Sequence, residues 1–205
     1  MNNALKQTFI NYLGDEFPGS DIAGETPFQY PVHIRFELGD NLKNGSKKRV
    51  LQATSKALSI FNDIFIDPSA EIWILIHEFQ EPNAFGANNQ YLHSLFDYDT
   101  VTNFFTEDNV NPDGSLKIIL GKTQIRKIDV SHILEAIANT EMGFDPGVGQ
   151  KVFFIDPIKN IGFYMYDDRG CIVWSNDALG LKPLLLKYDE WIPAFHRTEI
   201  EKYFG

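Results

Sequence analysis

The sequence contains a single cysteine, Cys171, among its 205 residues. One thiol cannot close an internal disulfide, and it cannot supply a metal cage built from several cysteines. Such sparse use of cysteine is typical of a reducing compartment, so we expect a cytoplasmic protein.

Long apolar runs are also missing. No signal-like run follows Met1, no lipidation motif is evident, and the longest purely apolar stretch, Ile72 to Ile76, is far shorter than a membrane span. We therefore expect no membrane association. Hydrophobic residues still make up 43% of the chain, with 17 Phe and 3 Trp, which is enough for a continuous core. The chain is expected to fold as one domain over residues 1–205.

Lysine and arginine are absent between Phe61 and Leu116, where the sequence has ten carboxylates. The remainder holds 18 acidic and 18 basic residues, so this segment carries the whole net charge of −10. Without a basic footprint we expect no nucleic-acid partner. The segment is either a solvated acidic face or a docking surface for a basic protein partner. The residues predicted to form that surface are Asp97, Asp99, Glu107 and Asp108.

The hydrophobic periodicity predicts alternating helices and strands. Helices are predicted over 5–13, 46–65 and 131–143, from 177 onward and over 198–204, and residues 91–108 weakly favour another short helix. Strands are predicted over 32–38, 72–76, 116–120, 152–155, 161–166 and 171–174. The short links between the last three strands permit antiparallel hairpins but no parallel crossover. The sequence therefore predicts an α+β domain with a mixed sheet and a C-terminal antiparallel three-stranded meander packed by helices.

A compact polar motif lies between the last two predicted strands. Its residues are Tyr166, Asp167, Asp168, Arg169 and Gly170. One interpretation is a hairpin turn in which Gly170 takes a positive φ and the aspartates bind turn amides. The other is a functional cluster in which Arg169 binds an anionic ligand or a carboxylate of the C-terminal region. A divalent ion is disfavoured, because neighbouring strand residues point to opposite faces.

Trp191 and Arg197 follow this motif in the sequence and are predicted to fold back beside it. Trp191 is expected to anchor the core with its indole N–H satisfied. Arg197 is expected to form an ion pair with Asp167 or Asp168.

Three strings in the C-terminal third carry a resemblance to a known family. They are Val152-Phe153-Phe154-Ile155-Asp156, Phe163-Tyr164-Met165-Tyr166-Asp167-Asp168-Arg169-Gly170, and Lys187-Tyr188-Asp189-Glu190-Trp191-Ile192 with Arg197. From about residue 133 to 205 the chain resembles a bacterial family catalogued only as a domain of unknown function. The resemblance implies a loosely Rossmann-like fold and brings no established reaction. Where that family has an acidic-aromatic-acidic stretch this chain has Pro193-Ala194-Phe195-His196, so no role of acidic groups carries over.

The remaining candidates for chemistry are weak. The nearest approach to a metal site is formed by His77, Glu78, Glu81 and His93. It lacks the helical HExxH spacing, so we expect no metal ion and no cofactor. Nothing in the sequence brings Cys171 next to His196 as a nucleophile and base, and His33 is expected to be exposed. The catalytic residues therefore stay unknown.

Two classes of function remain. The preferred one is a non-catalytic binding protein, similar to an immunity or antitoxin protein, whose acidic face masks a basic partner. The alternative is a small enzyme or ligand-binding domain that uses the Asp/Asp/Arg cluster on an anionic substrate. A concave pocket lined by Arg169, Trp191 and Tyr166 would favour the alternative. The oligomeric state stays open.

Overall fold

A computed structural model describes residues 2–24, 27–80, 89–97, 104–111 and 114–205, with side chains described for 4–24, 27–79, 90–97 and 116–205. The elements in chain order are α1 (Asn2–Glu16), β1 (Val32–Glu37), α2 (Lys47–Ile64), β2 (Glu71–Gln80), α3 (Asn89–Ser94), β3 (Phe104–Asn111), β4 (Gly114–Gln124), α4 (Val130–Met142), β5 (Lys151–Asp156), β6 (Ile161–Asp167), β7 (Gly170–Ser175), α5 (Ala178–Lys187) and α6 (Ala194–Phe204). Two short 3-10 turns cover Ile125–Lys127 and Asp189–Trp191. Within these ranges no helix is both long enough and apolar enough to cross a membrane.

The strands of the described residues form one seven-stranded sheet in the order β1-β7-β6-β5-β2-β4-β3. Every pair of neighbouring strands is antiparallel. The predicted α+β class is therefore confirmed. The strand pairs of the described residues are all antiparallel, so the predicted mixed sheet is wrong, and the Rossmann-like layout implied by the resemblance is not found in this part of the chain. The C-terminal meander explains part of this, because the short links around β6 allow only hairpins.

One predicted element differs between residues 91 and 108. The predicted short helix is present as α3, but residues 104–111 form the edge strand β3, and residues 98–103 lie outside the described part. β3 pairs with β4, and Asn111 is the register partner of Gly114. The strand is thus set by its pairing with β4.

Helices cover both faces of the sheet. Along β2, Ile72, Ile74 and Ile76 belong to one buried cluster, which the sheet forms with α2 and α4. The alternate residues Trp73 and Leu75 belong to a second cluster, which includes residues of α1. This period of two confirms the prediction of an interior strand covered on both faces.

Local signals fix the ends of the helices that frame the polar motif. Ser46 caps α2, and its Oγ accepts from the Arg49 backbone N–H at 3.3 Å. α4 ends at Gly143, whose φ of 71° is left-handed. The cap at Ser46 places Arg49 in the first turn of α2, next to the loop that follows β1.

Gly170 begins β7, and its predicted left-handed conformation is wrong, because its φ lies outside the positive region. A glycine is needed there for space. An added Cβ would lie 2.0 Å from the Tyr166 Oη and 2.7 Å from the Phe36 carbonyl oxygen. A β-bulge between Met165 and Asp167 accompanies this close approach of the Tyr166 ring.

Candidate functional site

Asp167 and Arg169 of the polar motif pair with each other. The Asp167 carboxylate accepts from the Arg169 backbone N–H at 2.7 Å and from the Arg169 Nε at 2.8 Å, and it also contacts the Arg169 Nη2. The prediction that Arg169 pairs with an acidic side chain of the C-terminal region is confirmed. The arginine side chain is 65% exposed, so this pair lies at the surface of the turn.

Asp168, by contrast, is 1% exposed and forms an ion pair with Arg49 of α2. The Arg49 guanidinium also donates to the backbone carbonyl of Leu42 at 2.9 Å. The Arg169 carbonyl accepts from the Leu38 N–H at 3.0 Å. Both charged groups of this pair are therefore used to hold the hairpin against α2 and the loop after β1, and neither is available to a ligand.

Trp191 and Arg197 do not join the polar motif. Arg197 donates to the Asp189 carboxylate at 2.7 Å, so its predicted pairing with Asp167 or Asp168 is wrong. Trp191 is half-buried at the edge of the core, where its ring stacks on Tyr188 with centroids 4.5 Å apart. The Lys56 Nζ lies 4.9 Å from the same ring.

Tyr166 is the one residue of the predicted motif that lines a cavity beside the hairpin. The cavity has a volume of about 300 Å³. It lies on the face of the meander opposite Cys171 and Val173. The side chains that give it its chemical character are Tyr30, Arg35, Lys151, Phe153, Tyr164 and Tyr166. The site thus combines two cations with four aromatic rings.

Arg35 lies between two aromatic rings, and no carboxylate of the described residues pairs with it. Its Cζ is 5.2 Å from the ring centre of Tyr166 and 5.1 Å from that of Phe195. Its Nε is buried, and the described residues offer the guanidinium neither a hydrogen-bond acceptor nor a salt bridge. A half-buried cation in this state is costly unless an acceptor reaches it.

The tyrosine hydroxyls of the cavity stay protonated at neutral pH. Burial raises the pKa of Tyr30 to about 12 and raises the pKa of Tyr166 further. The Tyr166 Oη is buried and has no hydrogen-bond partner among the described residues. Tyr166 therefore contributes its ring to the cavity, while its hydroxyl packs against Gly170.

The structure brings Glu78 and His93 of the predicted metal cluster together and separates both from His77. His77 is fully buried on one face of β2, where its Nε2 lies 2.8 Å from the Ile22 carbonyl oxygen. Glu78 is buried on the other face, 2.6 Å from His93 Nε2 and 3.0 Å from Lys117 Nζ. Glu81 lies outside the described residues. Adjacent strand residues point to opposite faces, which explains the separation.

Cys171 and His196 also lie on different faces. Cys171 is fully buried in the cluster that contains Phe36, and burial raises the pKa of its thiol. His196 contacts His33, on the opposite phase of β1, with ring centroids 5.0 Å apart. His33 is half-buried by this contact, so its predicted exposure is wrong.

Among the described residues, most partners of the acidic segment come from elsewhere in the chain, and Glu78 also pairs with His93 inside the segment. Four of its carboxylates pair with lysines outside residues 61–116. These pairs are Asp63 with Lys187, Glu71 with Lys122, Glu78 with Lys117, and Asp97 with Lys127. For the rest of the predicted surface, Glu107 and Asp108 lie in β3 with side chains outside the described part, and Asp99 lies outside it altogether. The docking surface stays a prediction.

Comparison with known proteins identifies a family but no activity. A family described as a domain of unknown function (DUF3885) matches residues 9–196. The match begins far upstream of residue 133, where the sequence motifs placed the start of the likeness. The chain is also similar to the uncharacterized protein YnaE of Bacillus subtilis (strain 168), with 34% identity over 76 residues. That alignment covers 34% of this chain and 36% of YnaE, so the chain spans about a third of this relative's length. No solved structure matches.

Proposed function

The chain belongs to the DUF3885 family, and we propose that it is a binding protein for a small anionic ligand with a planar apolar part, held in the cavity between Arg35 and Tyr166. The observation that supports this proposal is the half-buried Arg35 guanidinium, which has no acceptor among the described residues. A carboxylate or phosphate oxygen would supply that acceptor through charge-assisted hydrogen bonds.

The aromatic rings favour a planar ligand over a simple ion. Phe153 and Tyr164 pack at a tilt of 31° with centroids 4.3 Å apart, and both line the cavity. A flat ring could pack against them while its anionic group reaches Arg35. The volume of about 300 Å³ is at the lower end of small-molecule sites, so the ligand is small.

The cavity favours binding over catalysis. Its described lining has no carboxylate, imidazole or thiol that could act as a base or nucleophile. The raised pKa of Tyr166 keeps its hydroxyl protonated. In this proposal Arg35 binds the anion in place of the predicted Asp/Asp/Arg cluster. The charges of that cluster are already paired, Asp167 with Arg169 and Asp168 with Arg49.

The test is thermal-shift and calorimetric binding of three probes: adenosine monophosphate, 4-aminobenzoate and inorganic phosphate. We expect a planar anion to bind and phosphate alone to bind more weakly. Arg35→Gln should weaken binding about 10- to 100-fold, the effect of losing a charge-assisted hydrogen bond. Arg169→Gln is the matched control, because it removes an exposed cation from the adjacent turn. Equal loss in both variants, or no binding of any probe, would overturn the proposal.

A second proposal is a basic protein partner for the acidic segment. It is favoured by the absence of any Lys or Arg from residues 61–116 and by the net charge of −10. Clustered carboxylates would speed association with a cationic partner and make binding weaken with salt. The test is affinity capture from the native cell, followed by a salt series on the wild type and on a variant with Asp97, Asp99, Glu107 and Asp108 changed to Lys. Equal affinities and equal salt slopes in a folded variant would mean that the face only aids solubility.

A further inference from the structure

Two histidines and a glutamate from β1 and α6 form a cluster that the sequence motifs did not indicate. One ring nitrogen of His33, one of His196 and one carboxylate oxygen of Glu199 all lie within 4.8 Å of one another. The shortest separations are 3.2 Å between His196 Nδ1 and Glu199 Oε2, and 3.8 Å between His33 Nε2 and Glu199 Oε1. The second distance is too long for a hydrogen bond.

These separations suit three ligands around one metal ion. Zinc binds nitrogen and carboxylate oxygen at about 2.0–2.2 Å, so tetrahedral ligand atoms lie about 3.3–3.5 Å apart. The cluster is close to that size, and small rotamer changes of the half-exposed Glu199 would complete it. The Tyr203 hydroxyl lies 3.3 Å from Glu199 Oε1. An outer contact of this kind orients a ligating carboxylate.

His196 is buried, and its Nδ1 faces the Glu199 carboxylate 3.2 Å away. Its side chain is 4% exposed, and its Nε2 has no hydrogen-bond partner within the described part of the chain. With the proton on Nδ1, the Nε2 lone pair faces no donor. With the proton on Nε2, that N–H faces no acceptor and the Nδ1 lone pair faces a carboxylate. In this second form a cation between Nδ1 and the carboxylate would replace a contact between two acceptors by two metal–ligand bonds. The Nε2 N–H would stay without an acceptor among the described residues.

We propose that His33, His196 and Glu199 bind a divalent transition-metal ion, with zinc the best-suited one. Two imidazoles and one carboxylate are a donor set that zinc accepts while keeping a fourth position for water or another ligand. Metals that prefer thiolate ligands are disfavoured, because the single cysteine of the sequence, Cys171, is buried on the other face of the sheet. The ion would fasten α6 to the edge strand β1.

The test uses the whole chain, freed of metal with a chelator and dialysed against zinc. We expect one zinc ion per chain, a higher thermal midpoint with zinc, and the visible absorption of tetrahedral cobalt when Co²⁺ replaces zinc. Glu199→Gln and His33→Asn should each lower zinc affinity by more than about 10-fold, because even outer-shell changes cost that much. Both positions are partly exposed, so the variants should fold.

His132→Asn is the matched control. His132 also pairs with a carboxylate, Asp129, at 2.8 Å, but it is exposed and belongs to no three-ligand cluster in the described residues. Its loss should leave zinc affinity unchanged. The proposal is overturned if the metal-free chain takes up less than one zinc, or if His132→Asn weakens binding as much as Glu199→Gln. The assay contains no anionic ligand for the Arg35 cavity, so its result does not depend on the proposed function.

Discussion

Asp168→Ala should destabilise the protein far more than the same change at its neighbour Asp167. Asp168 is 1% exposed, and its partner Arg49 is 12% exposed, so removal of the carboxylate leaves a largely buried cation. Breaking such a pair typically costs about 3–5 kcal/mol. The carbonyl of Leu42 still accepts from Arg49, so we expect about 3 kcal/mol. For a chain of this size that corresponds to a thermal midpoint lower by roughly 6–12 °C.

Asp167→Ala is the control for this prediction. The partner Arg169 is 65% exposed, so water can replace the carboxylate, and the expected loss is about 1 kcal/mol. Urea unfolding followed by tryptophan fluorescence measures both variants, and an unchanged m-value shows that stability alone has altered. Losses that agree within about 0.5 kcal/mol would refute the distinction between a buried and a surface pair.

Two further predictions concern backbone space and pH. Gly170→Ala should cost about 1–3 kcal/mol, because the new Cβ meets the immobile Phe36 carbonyl oxygen at 2.7 Å. Gly180→Ala in α5 meets only ordinary contacts at 3.5 Å and should stabilise slightly, so equal losses in urea unfolding would contradict the packing argument. Burial lowers the pKa of His77 from 6.5 to about 4. The unfolded chain therefore binds a proton between these pH values that the folded protein does not. Stability should be fully present above about pH 6.5 and should fall by about 3 kcal/mol toward pH 4. His77→Gln should flatten this part of the pH profile, and an unchanged profile would show that other groups control it.

Most of the fold follows from hydrophobic period, and the missed strand shows where that signal ends. β2 and the meander have the apolar patterns of strands, and the structure has them as strands. β3 has the sequence Phe104-Phe105-Thr106-Glu107-Asp108-Asn109-Val110-Asn111, and its Asp and Asn are depleted in strands. Its pairing with β4 across a hairpin overrides that local preference. The prediction of a mixed sheet was wrong for a related reason. Whether two strands pair in parallel or antiparallel depends on which distant strands become neighbours in the sheet.

The candidate site was only partly predictable, because its polar partners lie far apart in the sequence. The hairpin and Tyr166 could be found from the motif itself. The partner of Asp168 is 119 residues upstream, and no local pattern encodes that separation. The alternation along β1 identifies His33 as a residue of the polar face, and a polar face predicts exposure. The packing of α6 against that face is a tertiary contact, which the alternation does not show. The spacing of His196 and Glu199 at i and i+3 was the available signal for the cluster.

The alternation of β1 explains why the anion cavity and the metal cluster are adjacent. Ile34 and Phe36 point into the core, so His33 and Arg35 lie on the opposite face, two residues apart. α6 meets them with consecutive residues, since Phe195 covers Arg35 and His196 contacts His33. An ion that fixes His196 also restrains the ring beside Arg35. The two proposed sites therefore share one helix, and occupation of either site would change the free energy of binding at the other, by the same amount in both directions.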